Sequence, residues 1–354
     1  MDIAIVTGSA GLVGSAAVEL FAGSGFEPVG IDNDMRRRFF GESASTSGNL
    51  RRLMSRVPAY RHHDVDVRDE AAVRRIFETY GSDIRCVIHT AAQPSHDWAA
   101  RDPTTDFDIN ARATLVLLEQ TRIHSPAARF VFTSTNKVYG DRPNQLPLVE
   151  RETRFELAPD HPFYEHGIDE SMPVDRSTHS VFGASKLAAD VMVQEYGRYF
   201  GLSTVAFRAG CVTGSGHAGA PLHGFLSYLV KCGLEDVEYQ ILGYRGKQVR
   251  DNIHAEDLVR MFLSFVRAPR AGAVYNVGGG RRAHCSLLEA VGLVERLLGR
   301  KMRTRYVDDA RIGDHIWYVS DTRKFRLDHP DWDFQHDLES ILLDLLQGFR
   351  GRAA

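Results

Sequence analysis

The chain has 354 residues, of which 25% are charged and 43% apolar, which is ordinary for a globular protein with a substantial core. The net charge of −3 gives no reason to expect nucleic acid or an anionic membrane as a partner. The first residues already read as a strand and no apolar run is long enough to cross a bilayer, so we expect neither a signal peptide nor a membrane span. The four cysteines lack CxxC spacing, which favours reduced thiols in a cytoplasm over disulfides or a zinc site.

The first part of the chain has the order strand, glycine turn, helix and strand. Residues 3–6 are apolar and mostly β-branched, which is typical of a buried parallel strand. The turn Thr7–Gly14 follows, residues 15–22 carry apolar side chains at helical spacing, and a second strand over 27–31 ends on Asp32. This order predicts a dinucleotide-binding unit, with a purely structural glycine turn as the alternative.

Each glycine of this turn has a predicted task. Gly8 permits a tight turn, Gly11 lets backbone N–H groups reach a pyrophosphate, and Gly14 lets the helix lie close to the strand. Asp32 can accept hydrogen bonds from an adenosine ribose and would repel a 2′-phosphate, so the sequence favours NAD over NADP. The run Arg36–Arg38 argues the other way, and its alternative interpretation is a solvated loop after the strand.

The alternation of strands and helices continues along the chain. We predict a polar loop with a short helix over 36–56, strands over 60–67, 86–89, 129–132 and 203–208, and helices over 70–80, 106–121 and 181–200. Five repeats of strand and helix predict an α/β fold built on a doubly wound parallel sheet. The polar connection 141–177 contains five prolines and is long enough to predict a binding or lid role.

The pattern becomes irregular from residue 210. We therefore predict a cofactor-binding domain over 1–209, joined by one more strand near 274–277, and a smaller substrate-binding lobe over 210–354. Small residues follow the fourth strand at Thr90, Ala91 and Ala92, where a cofactor can lie against the backbone at the carboxyl end of the sheet. His96, in the loop beyond, is predicted to be exposed, with a substrate contact as the alternative.

Three blocks of sequence carry a resemblance to a known family. The blocks 134–141 (STNKVYGD), 179–186 (HSVFGASK) and 246–257 (GKQVRDNIHAED) resemble the extended branch of the short-chain dehydrogenase/reductase superfamily. Within that branch they are most similar to the CDP-paratose (CDP-tyvelose) 2-epimerases. The resemblance implies a Rossmann-type fold, tightly held NAD, oxidation of a nucleoside-diphosphate sugar to a keto-sugar, and return of the hydride to the opposite face. It also implies a homodimer or homotetramer formed through the helices near 106–121 and 181–200.

The resemblance implies a cofactor site beyond the glycines and the acid. Asp66 and Val67 correspond to an acid and an apolar residue that hold the adenine, although Asp66 could instead cap the next helix. Asn110 would order the backbone of the active site. The further cofactor-binding residues that the resemblance implies are Ala10, Leu12, Val13, Asn33, Thr133 and Lys186.

The catalytic residues are implied by the same match, with one departure from the family pattern. Thr135 corresponds to the Ser/Thr that bonds the reacting oxygen, and Lys186 to the lysine of the Tyr-x-x-x-Lys motif. Position 182 holds Phe182 where the family has tyrosine. A phenyl ring cannot carry a proton, and general acid–base help contributes roughly 10²- to 10⁴-fold in rate. Either another group transfers the proton or the oxidation step is slow.

Several side chains could replace the missing phenol. Lys137 stands where related dehydratases have an acidic active-site residue, and a desolvated lysine can act as a base. Tyr139 belongs to a common V-Y-G turn and is predicted to be structural. The remaining candidates lie on or beside the long connection: Tyr164, Glu165, His166 and His179. Histidines 161, 166 and 179 lack metal-ligand spacing, so no metal site is predicted.

The substrate site is expected mainly in the smaller lobe. Arg250 and Arg311 correspond to arginines that clamp the nucleotide diphosphate, a task that suits the bidentate guanidinium, although either could be a plain surface charge. The other substrate-binding candidates, for which core packing is the alternative, are Gln93, Asn136, Arg208, His217, Leu222, Phe225 and His315.

Three functions remain open on the sequence alone. The first is an NAD-dependent epimerase of a nucleoside-diphosphate sugar, with a CDP-sugar and C2 as candidates. The second is a protein that binds NAD and a sugar nucleotide but has lost or altered its catalysis, which Phe182 favours. The third is a nucleotide-sugar oxidoreductase or a 4-epimerase. Dehydration is disfavoured because Asn136 and Lys137 replace the Asp-Glu pair that 4,6-dehydratases of the superfamily carry.

Overall fold

A computed structural model describes residues 1–217, 224–310 and 313–353, without the side chains of Ser43, Arg352 and Ala353. The strands are β1 (Ile3–Thr7), β2 (Glu27–Ile31), β3 (Arg61–His63), β4 (Ile84–His89), β5 (Arg129–Thr135), β6 (Leu148–Glu150), β7 (Phe155–Leu157), β8 (Ser203–Ala209), β9 (Cys211–Thr213), β10 (Tyr239–Leu242), β11 (Val249–His254), β12 (Ala273–Val277), β13 (His284–Ser286), β14 (Thr304–Val307) and β15 (Trp317–Tyr318). The helices are α1 (Leu12–Gly23), α2 (Met35–Phe40), α3 (Ser47–Arg56), α4 (Glu70–Tyr80), α5 (His96–Arg101), α6 (Pro103–Phe107), α7 (Ala113–His124), α8 (Val181–Phe200), α9 (Phe225–Glu235), α10 (Ala255–Arg267), α11 (Leu287–Leu298), α12 (Arg323–Asp328) and α13 (Leu338–Ala353).

Seven of the strands form one parallel sheet. Its order is β12-β8-β5-β4-β1-β2-β3, so the chain winds in one direction from β1 through β2 to β3 and in the other from β4 outward. The predicted doubly wound sheet is confirmed, and the strand expected near 274–277 pairs with β8. The order reverses between β1 and β4, and ligands of such sheets bind at the carboxyl ends of the strands beside this point.

Helices cover both faces of the sheet, which is why its strands are apolar throughout. Along β1, Ala4 and Val6 belong to the apolar cluster under α1 and α10, whereas Ile3 and Ile5 belong to the cluster under α4, α7 and α8. Such two-sided burial is typical of parallel sheets. The sheet is therefore a rigid base for whatever its carboxyl edge carries.

The second half of the chain contributes to two apolar cores, a small one of its own and that of the large sheet. Helices α9, α11 and α13 share an apolar cluster of their own, beside the small sheets β10-β14 and β13-β11-β15. Strand β9 follows β8 directly and pairs with β11, which links the small sheet to the edge of the large one. Helix α10 and strand β12, although they follow residue 210, pack on the large sheet.

Several local predictions differ from the structure. The strand expected over 60–67 is short because the chain leaves the sheet after His63, and the residues that follow turn toward the cleft. The segment 36–56, predicted as a loop with one short helix, contains most of α2 and all of α3. The helix expected over 106–121 is interrupted by a π-helical turn at Asp108–Arg112, a feature often found near functional sites. Helices 70–80 and 181–200 are confirmed with the predicted bounds. Within the described ranges, every helix is too short or too polar to cross a bilayer.

Asp251 is a carboxylate buried at the junction of the two parts. Its Oδ2 accepts hydrogen bonds from the backbone N–H groups of Gly280 and Ser320, and a Cβ on Gly278 would lie 1.9 Å from that oxygen. Burial raises the pKa of Asp251 from 3.8 to about 6. Between these two pH values the folded state holds a proton that the unfolded state has lost, so stability falls as the pH rises through this window.

We expect Asp251→Asn to flatten this part of the stability profile. Above pH 6 the variant should be more stable than the wild type by up to about 3 kcal/mol, since about 1.4 kcal/mol corresponds to one pKa unit. The difference is measured by urea unfolding at about pH 4, the lower end of the window, and at about pH 8, well above its upper end. Asp331→Asn, at an exposed site, is the control. An equal effect of Asp251→Asn at both pH values would contradict the assignment.

Candidate active site

A cleft of about 740 Å³ opens at the carboxyl ends of β1, β4 and β5 and continues between the large sheet and the smaller sheets. Its volume lies in the range of small-molecule and cofactor sites. The wall nearest the sheet is formed by backbone turns and small side chains. The far wall carries aromatic and charged side chains from the second half of the chain. The cleft can therefore hold a long ligand, or two ligands end to end.

The glycine turn of the cleft is shaped by backbone contacts. Gly8 has φ +65°, and a Cβ there would lie 2.8 Å from the backbone nitrogen of Ala91. A Cβ on Gly14 would lie 2.0 Å from the carbonyl oxygen of Gly8. Gly11 is the N-cap of α1 and makes no side-chain hydrogen bond to it. The N–H of Gly11 donates to the carbonyl oxygen of Gly8 at 3.0 Å. The first N–H groups of a helix lack intrahelical partners, so Leu12 and the next residues form a cradle that fits a pyrophosphate.

Asp32 stands at the end of β2, on the wall next to this cradle. Its carboxylate accepts hydrogen bonds from the backbone N–H groups of Ala10 at 2.9 Å and Asp34 at 2.8 Å. Burial raises its pKa. Asn33 and Val13 also line the cleft, whereas the side chain of Ala10 is buried beneath the turn. This arrangement places an acid where the ribose of a dinucleotide would lie.

Asp66 and Val67 form the opposite side of the same end of the cleft. The Asp66 carboxylate accepts hydrogen bonds from the backbone and the guanidinium of Arg68, the latter at 2.7 Å. The N-cap of α4 is Asp69, which accepts from the N–H of Ala72. The alternative of Asp66 as the helix cap is therefore wrong.

The strand-end residues Thr90, Ala91 and Ala92 line the cleft, and Asn110 orders them from behind. The amide of Asn110 exchanges two hydrogen bonds with the backbone of Gln93. Gln93 itself is fully buried and bonded to its neighbours, so the structure places it behind the cleft wall and not in it. Asn110 thus occupies the position expected of a residue that orders the active-site backbone.

Lys186 is almost fully buried, and it reaches the cleft beside β5. Its Nζ donates a hydrogen bond to the carbonyl oxygen of Thr133 at 2.7 Å and lies 4.1 Å from the centre of the Phe132 ring. Burial lowers the pKa of Lys186 to about 7, although Asp190 and Asp106 oppose that shift. Among the described residues, the buried hydroxyl of Thr133 has no hydrogen-bond partner, so this wall offers an unmet polar group to a ligand.

The other predicted catalytic residues lie along the same wall. Thr135 and Asn136 line the cleft at the end of β5, and the Thr135 hydroxyl accepts a hydrogen bond from the backbone N–H of Lys137. Lys137 lines the cleft as well, and its ammonium group donates to the carbonyl oxygen of Gly313 at 2.8 Å. Phe182 lies one helical turn before Lys186 and is 7% exposed, so its ring is part of the wall.

His96 is the cleft residue that the sequence analysis misplaced. It is the first residue of α5 and lines the cleft; the prediction of an exposed loop residue is wrong. Its Nδ1 lies 2.7 Å from the hydroxyl of Ser180, and its ring meets the ring of Phe182 at 5.0 Å between centroids and 66° between planes. The helix start was visible in the sequence, because Ser95 caps the N–H of Trp98.

The other proposed replacements for the phenol lie elsewhere. His179 binds the carbonyl oxygen of Val138 through Nε2, and the hydroxyl of Tyr139 donates to Asn276. Both groups therefore help to hold the polypeptide together. Three other candidates, all in the long connection, are not part of the cleft lining: Tyr164, Glu165 and His166.

The substrate-binding candidates divide into two groups. His217, Phe225 and Arg250 line the far wall of the cleft, together with Asn136 on the near wall. Arg250 is 13% exposed and lies 3.9 Å from Asp314. Tyr228 and Tyr239 line the same wall and were missed, because their spacing also fits ordinary core positions of a helix and a strand.

The second group lies away from the cleft lining or cannot be placed. Arg208 forms a buried ion pair with Asp190 and donates to the hydroxyl of Tyr139. His315 is buried and binds the carbonyl oxygen of Gly140. The structure thus gives both side chains packing partners in the core. Leu222 and Arg311 lie outside the described residues.

One group of possible metal ligands occurs in the described part of the chain, away from the cleft. His254, Glu256 and His336 bring their ligand atoms within 4.8 Å of one another. His254 already binds Asp344 through Nε2 and accepts the N–H of Glu256 at Nδ1, and its ring stacks on that of His336. The cluster is therefore accounted for by hydrogen bonding and stacking.

Comparison with known proteins agrees with this geometry. Residues 4–278 match the model of the NAD dependent epimerase/dehydratase family. The CDP-paratose 2-epimerase of Salmonella typhi is 31% identical over 90% of this chain and 91% of its own length. The chain belongs to the NAD dependent epimerase/dehydratase family. Its cofactor is NAD, for which the glycine cradle, Asp32 and the wall at Thr133 provide fitting partners.

Two further similar proteins are more distant in sequence. The dTDP-glucose 4,6-dehydratase of Salmonella typhimurium is 28% identical over 90% of this chain and 85% of its own length. The crystal structure of UDP-glucose 4-epimerase from Thermotoga maritima, solved with UDP-glucose, superposes with a TM-score of 0.78 at 24% identity over 100% of both chains. This likeness extends the shared fold to the whole chain.

Asn49 connects the two sides of the cleft at the glycine turn. From α3, its Nδ2 donates to the carbonyl oxygen of Ala10 at 3.0 Å and to that of Gly216 at 3.3 Å, and its Oδ1 accepts from Arg52. The side chain itself lines the cleft. We infer that these two hydrogen bonds hold the segment at Gly216 against the glycine turn and so slow the release of NAD.

We expect Asn49→Ala to release NAD faster than the wild type. Two hydrogen bonds of about 1 kcal/mol each are removed, which corresponds to roughly a tenfold faster dissociation or more. The measurement is the loss of bound NAD during dilution, followed by mass spectrometry of the protein. Arg51→Ala, an exposed change on the same helix, should retain NAD like the wild type. If Asn49→Ala retained NAD as long as the wild type does, the inference about Asn49 would be wrong.

Proposed function

We propose that the chain inverts one carbon of a nucleoside-diphosphate sugar by transient oxidation to a keto-sugar, with a CDP-sugar and C2 as the first candidates. The observation that carries the proposal is one continuous cleft. It joins the dinucleotide cradle at Gly11 to a wall with Thr135 and Lys186, and that wall to the basic far side at Arg250. The choice of a CDP-sugar is supported by the CDP-paratose 2-epimerase relative.

The chain's own residues have separate tasks in this reaction. NAD, when bound, accepts a hydride from the sugar carbon and returns it, so the cycle consumes no cofactor. The Thr135 hydroxyl can hold the reacting sugar oxygen. Lys186 supplies positive charge near that oxygen and a donor for the nicotinamide ribose, as the family resemblance implies. Because Lys186 is fixed by Thr133, its position does not depend on the substrate.

Recognition of the nucleotide is assigned to the far wall. Arg250 can bind the diphosphate bidentately, because its guanidinium presents paired N–H donors. Phe225, Tyr228 and Tyr239 offer aromatic surface on which a base can stack. His217 closes the same end of the cleft. The smaller lobe over 210–354 would therefore supply the substrate contacts.

A second candidate is a protein that binds NAD and a sugar nucleotide without epimerase turnover. Phe182 favours it, because the phenol that transfers protons in the family is absent. The buried Lys186 argues against it, because a desolvated amine is costly to keep where no chemistry uses it. A 4,6-dehydratase is disfavoured by Asn136 and Lys137, even though dehydratases are among the relatives.

The homodimer or homotetramer remains a prediction. Its suggested surfaces carry exposed apolar side chains: Ile123 on α7 is 55% exposed, and Tyr199 and Phe200 on α8 are 81% and 49% exposed. Light scattering of the purified chain measures the assembly directly. If the chain were a monomer at assay concentrations, the prediction of a homodimer or homotetramer would be wrong.

The proposed function predicts inversion without solvent labelling. Purified protein is incubated with CDP-paratose and with a panel of CDP- and UDP-hexoses in deuterated water, and products are followed by NMR. We expect an inverted sugar whose carbon carries no deuterium, because the hydride returns directly. Deuterium at that carbon would indicate enolisation, net accumulation of reduced NAD would indicate a dehydrogenase, and no conversion of any sugar would favour the binding protein.

We expect Lys186→Met to remove turnover while the fold is retained. The loss should be roughly 10²-fold or more, the lower range for acid–base assistance. Removal of the buried amine should leave the thermal unfolding temperature unchanged or higher. The matched control is Lys324→Met: Lys324 also donates to a strand carbonyl, that of Val274, and lies over the Tyr275 ring, outside the cleft. If both variants keep wild-type turnover, Lys186 has no part in catalysis.

A further inference from the structure

We propose that His96 transfers the proton that a tyrosine at position 182 would otherwise transfer. The inference rests on the proposed function, because it names the acid–base group of that reaction. It is carried by the contact between His96, Phe182 and Ser180 on the wall of the cleft. No pattern in the sequence brings these three side chains together.

The imidazole stands beside the ring that lacks a hydroxyl. His96 and Phe182 both line the cleft and touch edge to face, with ring centroids 5.0 Å apart. The chemistry that the family assigns to position 182 needs a group that exchanges a proton with the sugar hydroxyl. Of the two touching rings, only the imidazole can do so.

Helix caps fix the position of the imidazole. Ser95 accepts the N–H of Trp98 and so starts α5 at His96. Ser180 accepts the N–H of Gly183 and starts α8, which carries Phe182. Because Nδ1 of His96 contacts the Ser180 hydroxyl at 2.7 Å, the two helix starts hold each other in register. A proton-transfer group must be held in this way to act on a bound sugar.

His96 differs from His179 and His315 first in its place, because it lines the cleft and they do not. His179 binds the carbonyl oxygen of Val138 and His315 that of Gly140, so the bonded nitrogen must keep its hydrogen. The Ser180 hydroxyl can either accept a hydrogen bond from Nδ1–H or donate one to the Nδ1 lone pair. The His96 ring can therefore gain and lose a proton without losing this contact.

The two lysines of the cleft are held as donors. Lys137 donates to the carbonyl oxygen of Gly313 and Lys186 to that of Thr133. A lysine that gives up one proton keeps two N–H donors for such a contact, so these hydrogen bonds fix the position of each amine in either charge state. Substitution of each lysine therefore has to distinguish a source of charge from a base. Among side chains, histidine is the one that most often transfers protons in enzymes.

The atoms and electrons of the proposed proton and hydride transfers balance with His96, the sugar and NAD alone. The O–H bond of the sugar hydroxyl breaks and its proton goes to the His96 imidazole. The neighbouring C–H bond breaks as a C=O bond forms, and NAD bound at the glycine turn would accept the hydride and later return it to the other face of the carbon. The imidazolium then returns the proton to oxygen.

Substitution of His96 tests the role directly. His96→Asn and His96→Gln each keep an amide that can hydrogen-bond but cannot take up a proton at neutral pH. We expect kcat for CDP-paratose inversion to fall roughly 10²-fold or more, while the affinity for CDP measured by calorimetry changes little. His124→Asn, at the end of α7, is the control and should keep full turnover. Wild-type turnover by His96→Asn would overturn the proposal.

A second variant distinguishes proton transfer from a structural role. His96→Asn combined with Phe182→Tyr places a phenol next to Lys186 and should recover at least part of the lost kcat. A role of His96 in positioning alone predicts no recovery and a parallel loss of CDP affinity, and that pair of results would overturn the proposal. The single variant Lys137→Met tests the competing base. If Lys137→Met lost kcat while His96→Asn kept it, Lys137 and not His96 would be the group that transfers the proton.

The ring can also be observed without turnover. In protein labelled with nitrogen-15 histidine, the resonance that disappears in His96→Asn reports on His96, and it should shift when CDP-paratose is added. No shift would overturn the proposal. A wild-type chain that inverts none of the tested sugars overturns the proposed function and the His96 role with it. Full activity of His96→Asn overturns only the role.

Discussion

The contact on which the site depends is between two pieces of backbone. The turn after β1 approaches the turn after β4 so closely that a Cβ on Gly8 would lie 2.8 Å from the nitrogen of Ala91, and α1 approaches Gly8 so closely that a Cβ on Gly14 would lie 2.0 Å from its oxygen. No side chain other than hydrogen fits at either place. Because of these contacts, the helix begins directly at the reversal point of the sheet, and its N–H groups border the cleft. The cradle exists because side chains are missing.

A buried polar network extends this geometry to the catalytic wall. Asn110 binds the backbone after β4 and also the hydroxyl of Ser185 on α8, and Asp106 accepts from both Asn110 and Ser185. The next residue on α8 is Lys186. The turn that borders the cofactor end and the helix that carries the lysine are therefore fixed to each other by hydrogen bonds inside the protein. Such a network sets positions, because each unmet partner in it would be costly.

The sequence predicted those parts of the structure that follow from periodicity and backbone chemistry. The helices 70–80 and 181–200, the doubly wound sheet and the carboxyl ends of its strands follow from patterns that only a few structures can satisfy. The directions of individual side chains do not. Arg208 and Arg250 both lie on strands with suitable neighbours, yet Asp190 draws the first into the core while the second lines the cleft. For His96, only the three-dimensional contact with Phe182 distinguishes a cleft residue from an exposed one.

Phe182 changes what the neighbouring charge can do. In a Tyr-x-x-x-Lys site the lysine stabilises the phenolate, so one residue carries the proton and the other lowers the cost of releasing it. Here Lys186 has no phenol to act on, and burial lowers its own pKa to about 7. The carbonyl of Thr133 and the ring of Phe132 face the ammonium group and favour its charged form. Under the role proposed for His96, proton transfer and charge stabilisation are separated in space, with the exchangeable proton on the imidazole that touches the Phe182 ring and the charge on Lys186.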